Sequence, residues 1–260
     1  MLHRLRTLGA MPPARLATID TLRGIAIVWM TVFHFCFDLN YFGWLKQNFY
    51  TDPFWTWQRT AIVSLFLFCA GLGQAFAFAQ GQSWGRFCKR WLQIAGCALL
   101  VTAGSYWMFP KSFIYFGVLH GIAVMLVIVR LTAGWGRWLW LAGAVALAVK
   151  PLALFAHVQW PALDFLNHMN WNWLGLISRK PVTEDYVPLF PWLGVMWWGV
   201  AAGQWFLARR KDLLQARLPA AAAPLAWLGR WSLTWYMLHQ PVMIGILAAA
   251  RWLSLRAGLA

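Results

Sequence analysis

Acid is the scarcest thing in this chain. Seven Asp and Glu stand against 22 Lys and Arg in 260 residues, and charged residues together make up 11%. Soluble domains carry about 25% charged residues, so an ordinary water-facing surface is excluded. The net charge of +15 does not read as nucleic-acid binding, because no basic stripe and no nucleic-acid module is present. Cysteine is scarce as well. Cys36, Cys69, Cys88 and Cys97 lie in or beside apolar segments with no CxxC among them, which reads as small buried hydrophobes rather than disulfide partners. Asp164 and His168 stand four residues apart, but no third ligand follows, and no metal is expected. Residues 1–18 are basic and precede an apolar run, yet that run holds Asp20, Arg23 and His34 and ends in FHFCFD without a small-residue cleavage site. It reads as a retained span rather than a cleaved signal. The inverted repeat of many transporters is missing too.

Apolar surface is abundant. The chain is 61% hydrophobic, with 21 tryptophans and a mean hydropathy of +0.56. The fold class expected is all-α, a polytopic membrane helical bundle with about seven or more transmembrane helices, forming one domain over 1–260. Seven apolar windows are long enough to cross a bilayer: 21–37, 57–79, 91–109, 114–131, 136–156, 187–207 and 225–249. Arg4, Arg6 and Arg15 precede the first window. Further basic clusters fall between the second and third (Arg86, Lys89, Arg90), the fourth and fifth (Arg130, Arg137), and the sixth and seventh (Arg209, Arg210, Lys211, Arg217). By the positive-inside rule these mark the cytoplasmic side. The N-terminal segment 1–18 is then cytoplasmic and the connection 157–186 extracytoplasmic. Gly117–Gly121 and Gly199–Gly203 have the spacing of close helix packing.

The stretch IDTLRGIAIVWMTVFHFCFD, residues 19–38, organises the rest. Ionisable groups inside a membrane are costly and mark function. Arg23 and His34 are eleven residues apart, about 16 Å along a helix. By the expected span boundaries His34, His120 and His239 fall at one depth in the outer half, while Arg23 and Arg230 fall near the cytoplasmic face. Asp20 either caps the first helix or holds Arg23 or a neighbouring helix. Histidine is the usual general base near neutral pH, and arginine clamps phosphates. A phosphorylated carrier that delivers an acyl group to a buried histidine uses both. In the outer connection Trp160, Trp171 and Trp173 could stack on sugar rings, with Asn167, Asn170 and Asn172 supplying hydrogen bonds; an interfacial aromatic belt explains the same tryptophans.

The stretches ATIDTLRGIAIVWMTVFHFCFDL, FLFCAGLG, IYFGVLHGIA and DYVPLFPWLGVMWWGVAAG resemble the catalytic-domain family of heparan-α-glucosaminide N-acetyltransferase over most of residues 15–207. LGRWSLTWYMLHQPV resembles the last signature of the wider membrane acyltransferase superfamily. In that superfamily an arginine, ten intervening residues and a histidine recur in the first span, and Arg23 and His34 match. The resemblance implies an acetyltransferase, O- or N-directed, in a bacterial inner membrane. It would bind acetyl-CoA from the cytoplasm and meet a carbohydrate or glycolipid acceptor on the far side. His34, Arg23 and Asp20 then form the catalytic set, with His34 as base or transient acyl carrier. Arg23, Arg230, His120 and His239 bind the cofactor, and Asp38, Trp171 and Trp173 bind the acceptor. Membrane lipids are the surroundings, no nucleic acid is a partner, and an oligomer is compatible with the sequence. One departure stands out. The lysosomal relatives carry functional histidine chemistry beyond the first span, where this chain has DLNYFGW and no histidine. Two other classes stay open: a transporter or flippase for a glycan or lipid-linked sugar, and a haem-binding electron carrier using paired membrane histidines.

Overall fold

The computed structural model describes residues 16–210, 212–213 and 219–257. Most of the basic N-terminal segment lies outside them, as do Lys211 and Arg217. Nine helices are used below: α1 (Ala17–Tyr41), α2 (Pro53–Ala79), α3 (Trp84–Met108), α4 (Val118–Thr132), α5 (Trp138–Gln159), the short α6 (Met169–Asn172), α7 (Leu189–Arg209), α8 (Ala223–Arg230) and α9 (Ser232–Arg256). Among the described residues there is no strand, only an isolated bridge between Phe116 and Tyr186.

The apolar windows fall on helices, but five helices rather than seven are long and apolar enough to cross a membrane: α1, α2, α4 with its extension to Trp135, α5 and α9. In α7, four tryptophans, three glycines and Gln204 dilute the hydropathy. In α3, the basic residues Arg86, Lys89 and Arg90 fill the first two turns. Leu99, Leu100, Val145, Phe155 and Ile246 are exposed on their helices, as lipid-facing side chains are. The chain is a multi-pass membrane protein. Cys69 is buried and Cys36 and Cys97 half-buried, whereas Cys88 is exposed on α3, contrary to the expectation for all four.

The chain falls into two compact units, Ala17–Phe66 with Ala216–Ala260, and Leu67–Gln215. The first contains α1, the beginning of α2, α8 and α9. Asp52 starts α2 by accepting the N–H of Phe54 at 2.8 Å, with Pro53 at the first helical position, where its missing N–H costs nothing. Ile27, Met30, Phe33, Phe49 and Ile62 form the core of this unit. Lipid tails are as apolar as leucine, so helices in a membrane must hold together by close packing and hydrogen bonds. Here α1 and α8 meet backbone to backbone: a Cβ on Gly24 would overlap the Leu225 carbonyl, and one on Gly229 the Asp20 carbonyl. The window expected to run unbroken through 225–249 is split at Trp231, which leaves the helix with φ −97° and ψ 17°. Residues up to Arg230 are thereby kept against α1.

The second unit holds the end of α2 and α3 to α7. Gly199 packs on α2, where its Cβ would overlap the Phe68 carbonyl, as its spacing implied. Gly117 and Gly121 instead face Asp185 and Val187 of a loop. Residues 114–117, expected inside the fourth span, are extended. They run beside 183–187, with Val187 N–H donating to Phe116 O at 3.1 Å. The expected 157–186 connection begins only after Gln159, because α5 continues that far. It is not a slack loop. Asn167 accepts the N–H groups of Ser178 at 3.0 Å and Arg179 at 3.1 Å, closing it on itself.

Candidate functional site

Six residues of α1 recur at alternating spacings of four and three, Asp20, Gly24, Ile27, Thr31, His34 and Asp38. Such spacing lines one face of a helix, and α8 and α9 cover that face in rungs. Asp20 and Gly24 meet α8. Thr31 accepts the indole N–H of Trp235 at 2.9 Å. His34 Nδ1 lies 2.8 Å from His239 Nε2. Asp38 Oδ1 accepts the amide of Gln240 at 2.8 Å.

At one end of the ladder Asp20 is 5% exposed and lies between two guanidinium groups, Arg23 Nη1 at 3.4 Å and Arg230 Nε at 3.9 Å. Asp20 therefore holds both its own helix and the end of α8, which joins two of the roles weighed for it. Two cations share one carboxylate, so the cluster keeps one net positive charge. The contacts are long and both arginines are partly exposed. Their remaining N–H groups are available to a phosphate oxygen without displacing Asp20.

His34 lies about 16 Å further along α1. Its ring is within 11° of parallel with that of His239, and the centroids are 5.1 Å apart. His239 is 7% exposed, and Asp38, one turn beyond His34, is 3% exposed. Asp38 Oδ2 and Gln240 Oε1 are buried without a partner. Buried polar atoms are nearly always paired, so two orphan acceptors next to the histidine pair are donor-seeking atoms. Gln240 was not singled out from the sequence. Its position directly after His239 in LHQPV was the available signal.

The other expected residues belong to the second unit. His120 is not deep in a span but in the first turn of α4, because the helix starts at Val118. Its Nδ1 accepts the Gly117 N–H at 3.3 Å and its Nε2 meets the Thr102 hydroxyl at 2.9 Å. That hydroxyl also meets Ile114 O at 2.8 Å. Nδ1 is thus spent on capping the start of α4, and Nε2 on tying α4 to α3. Asp185 supports the same helix start by accepting the Val118 N–H at 2.7 Å.

In the connection between α5 and α7 Trp171 is half exposed. Trp173 donates its indole N–H to Asn170 O at 3.0 Å. Asn172 is buried and donates to the Tyr115 hydroxyl at 2.7 Å, while Tyr186 donates to Asn172 O at 2.6 Å. Asn167 and Asn172 therefore serve the loop's own structure. Burial pushes the Tyr115 phenol up despite its bond to Asn172, and burial, with Tyr115 nearby, pushes Tyr186 higher. Asp164 pairs with Arg179 at 2.8 Å. The bond from Asn167, then Arg179, holds its carboxyl below the usual range. An apolar groove of about 430 Å³ between α5 and α7, lined by Trp135, Trp138, Val145 and Trp197 among others, has none of these polar groups.

No curated protein and no solved structure matches the chain. A family described as heparan-alpha-glucosaminide N-acetyltransferase, catalytic, matches residues 15–241. That range covers the ladder from Asp20 through Gln240, with its histidine pair and its partly open arginine pair. The chain belongs to that family, a family of membrane acetyltransferases.

Proposed function

We propose that this protein moves an acetyl or similar acyl group from acyl-CoA, held at the cytoplasmic end of the α1 ladder, to a glycan or glycolipid acceptor. The acceptor is met on the outer side of a bacterial inner membrane. The observation that carries this reading is the pairing of the half-buried His34 with the buried His239 at 2.8 Å, in a chain of an acetyltransferase family. Arg23 and Arg230 fit the phosphates of CoA because they share a single carboxylate and retain positive charge. Bidentate guanidinium contacts are the usual means of holding phosphate.

His34 acts as general base. It takes the proton of the acceptor hydroxyl or amine as the acceptor attacks the thioester carbonyl. The new C–O or C–N bond forms, the C–S bond breaks, and His34 returns the proton to the departing sulfur. Free CoA and the acylated acceptor are the products. Asp38, beside His34, receives a donor group of the acceptor and holds it for attack. General base catalysis of this kind contributes about 10²–10⁴-fold in rate.

The test is the purified protein in nanodiscs with acetyl-CoA, following thiol release and acetylation of added glycans. His34→Ala is expected to abolish turnover while the protein stays folded. Full activity of that variant would remove His34 from the chemistry. Mass spectrometry of envelope sugars from a strain lacking the protein identifies the acceptor through the acyl groups that disappear.

A further inference from the structure

His239 Nδ1 faces two backbone carbonyls of its own helix, Trp235 O at 3.0 Å and Tyr236 O at 2.9 Å. A carbonyl oxygen can only accept, so Nδ1 of His239 carries a proton. In a neutral imidazole one nitrogen donates and the other accepts, which leaves a lone pair on Nε2. That is the atom 2.8 Å from His34 Nδ1. Nδ1 of His34 must then donate, and the lone pair of His34 is left on its Nε2. Among the described residues no hydrogen bond reaches that Nε2.

The ring geometry supports the same bond. Two imidazoles within 11° of parallel, with centroids 5.1 Å apart and a nitrogen–nitrogen contact of 2.8 Å, are joined end to end in a common plane. A face-to-face stack would bring the centroids closer. The hydrogen therefore lies along the lone-pair direction of the acceptor nitrogen, as a good hydrogen bond requires. The competing arrangement has a doubly protonated His239 donating to His34. It would bury a cation with no ion pair to His239 among the described residues, a costly state.

We propose that His239 is a positioning residue that locks His34 in the Nδ1–H tautomer and so presents the Nε2 lone pair of His34 to the reacting groups. The catalytic half of this statement rests on the function proposed above; the tautomer does not. A free histidine ring favours the opposite tautomer, with the proton on Nε2, and such a ring could not serve as base through that atom. When His34 takes the acceptor's proton, its Nδ1–H bond to His239 becomes charge-assisted and stronger. No second proton needs to move.

The experiment reads the ring nitrogens directly. Full-length protein labelled with ¹⁵N-histidine is reconstituted in nanodiscs and its imidazole signals are recorded near neutral pH, with His34→Ala identifying the His34 set. The expected result is a protonated Nδ1 and a bare Nε2 on His34. In His239→Ala the proton should move to Nε2. In His239→Gln, whose carboxamide oxygen offers an acceptor near the lost Nε2, the native tautomer should return. Thiol release from acetyl-CoA, with water as acceptor, should show kcat lowered roughly tenfold or more in His239→Ala. KM should stay within about twofold, and His239→Gln should recover part of the loss. A wild-type His34 protonated on Nε2, or a tautomer unchanged in both His239 variants, overturns the proposal. If the tautomer shifts as stated while His34→Ala keeps full activity, the positioning stands and the acyltransferase chemistry of His34 falls.

Discussion

The amide of Gln240 donates to one oxygen of Asp38 at 2.8 Å and leaves the other oxygen of that buried carboxylate without a partner. In the reaction proposed above, an acceptor with its own O–H or N–H donor completes the pair. Asp38→Ala should lower transfer to a glycan acceptor by about tenfold or more, the effect of one lost charged hydrogen bond, while thiol release to water falls much less. Comparing the two rates in one preparation checks this. Equal losses would make Asp38 a structural residue only.

Asp20 lies between Arg23 and Arg230. Arg230→Ala should raise KM for acetyl-CoA by about tenfold, equivalent to ~1.4 kcal/mol, with little change in kcat. The increase should shrink at high salt, since partly exposed charges are screened. Steady-state kinetics at two ionic strengths provide the measurement.

Two helical glycines, Gly24 at the α1–α8 crossing and Gly96 on α3, make opposite demands. Gly24→Ala puts a methyl group into the Leu225 backbone and should cost about 1–3 kcal/mol. Gly96, also in a helix, has nothing within 4 Å of a built Cβ. Gly96→Ala should stabilise by about 0.4–1 kcal/mol. Thermal unfolding in detergent should move in opposite directions for the two.

His120 uses both ring nitrogens within its own unit. His120→Ala should lower the melting temperature and leave KM for acetyl-CoA unchanged. A large rise in KM with unchanged stability would restore the cofactor role expected from the sequence.

Tyr186 donates to the Asn172 carbonyl, and burial raises its pKa. The unfolded phenol ionises near pH 10 and the folded one above that. Its contribution to stability is complete below about pH 10 and is lost as the pH rises towards the folded value. Tyr186→Phe should weaken the connection between α5 and α7 by about 1 kcal/mol and remove that part of the alkaline sensitivity. Hydrogen exchange over residues 160–188, followed against pH, checks it.

Asp20, Arg23, His34 and Asp38 were legible because ionisable groups stand out in an apolar run, and a helical rise alone spaces Arg23 from His34. The positions of their partners were not legible in the same way. Depth along the last span was counted from residue 225, and the break at Trp231 changes that count. It depends on a backbone contact at Gly229 that composition does not reveal. His120 was placed deep for a similar reason, since residues 114–117 read as apolar helix while the structure uses them as extended chain beside 183–187. The asparagines between α5 and α7 resembled ligand-binding groups because loop-closing and ligand-binding amides have the same composition. Only the partners of Asn167 and Asn172 distinguish them.

The close meeting of Gly24 with Leu225 and of Gly229 with Asp20 has a metric consequence. It fixes how far α8 can slide along α1, and so keeps Arg230 at the Arg23 end of a ruler, about 16 Å of helix rise from His34. In the function proposed above, a donor must be anchored at one mark and reactive at the other. A thioester with a long arm ending in phosphates meets both, whereas a short synthetic thioester can visit the imidazole but has nothing at the clamp to hold it there.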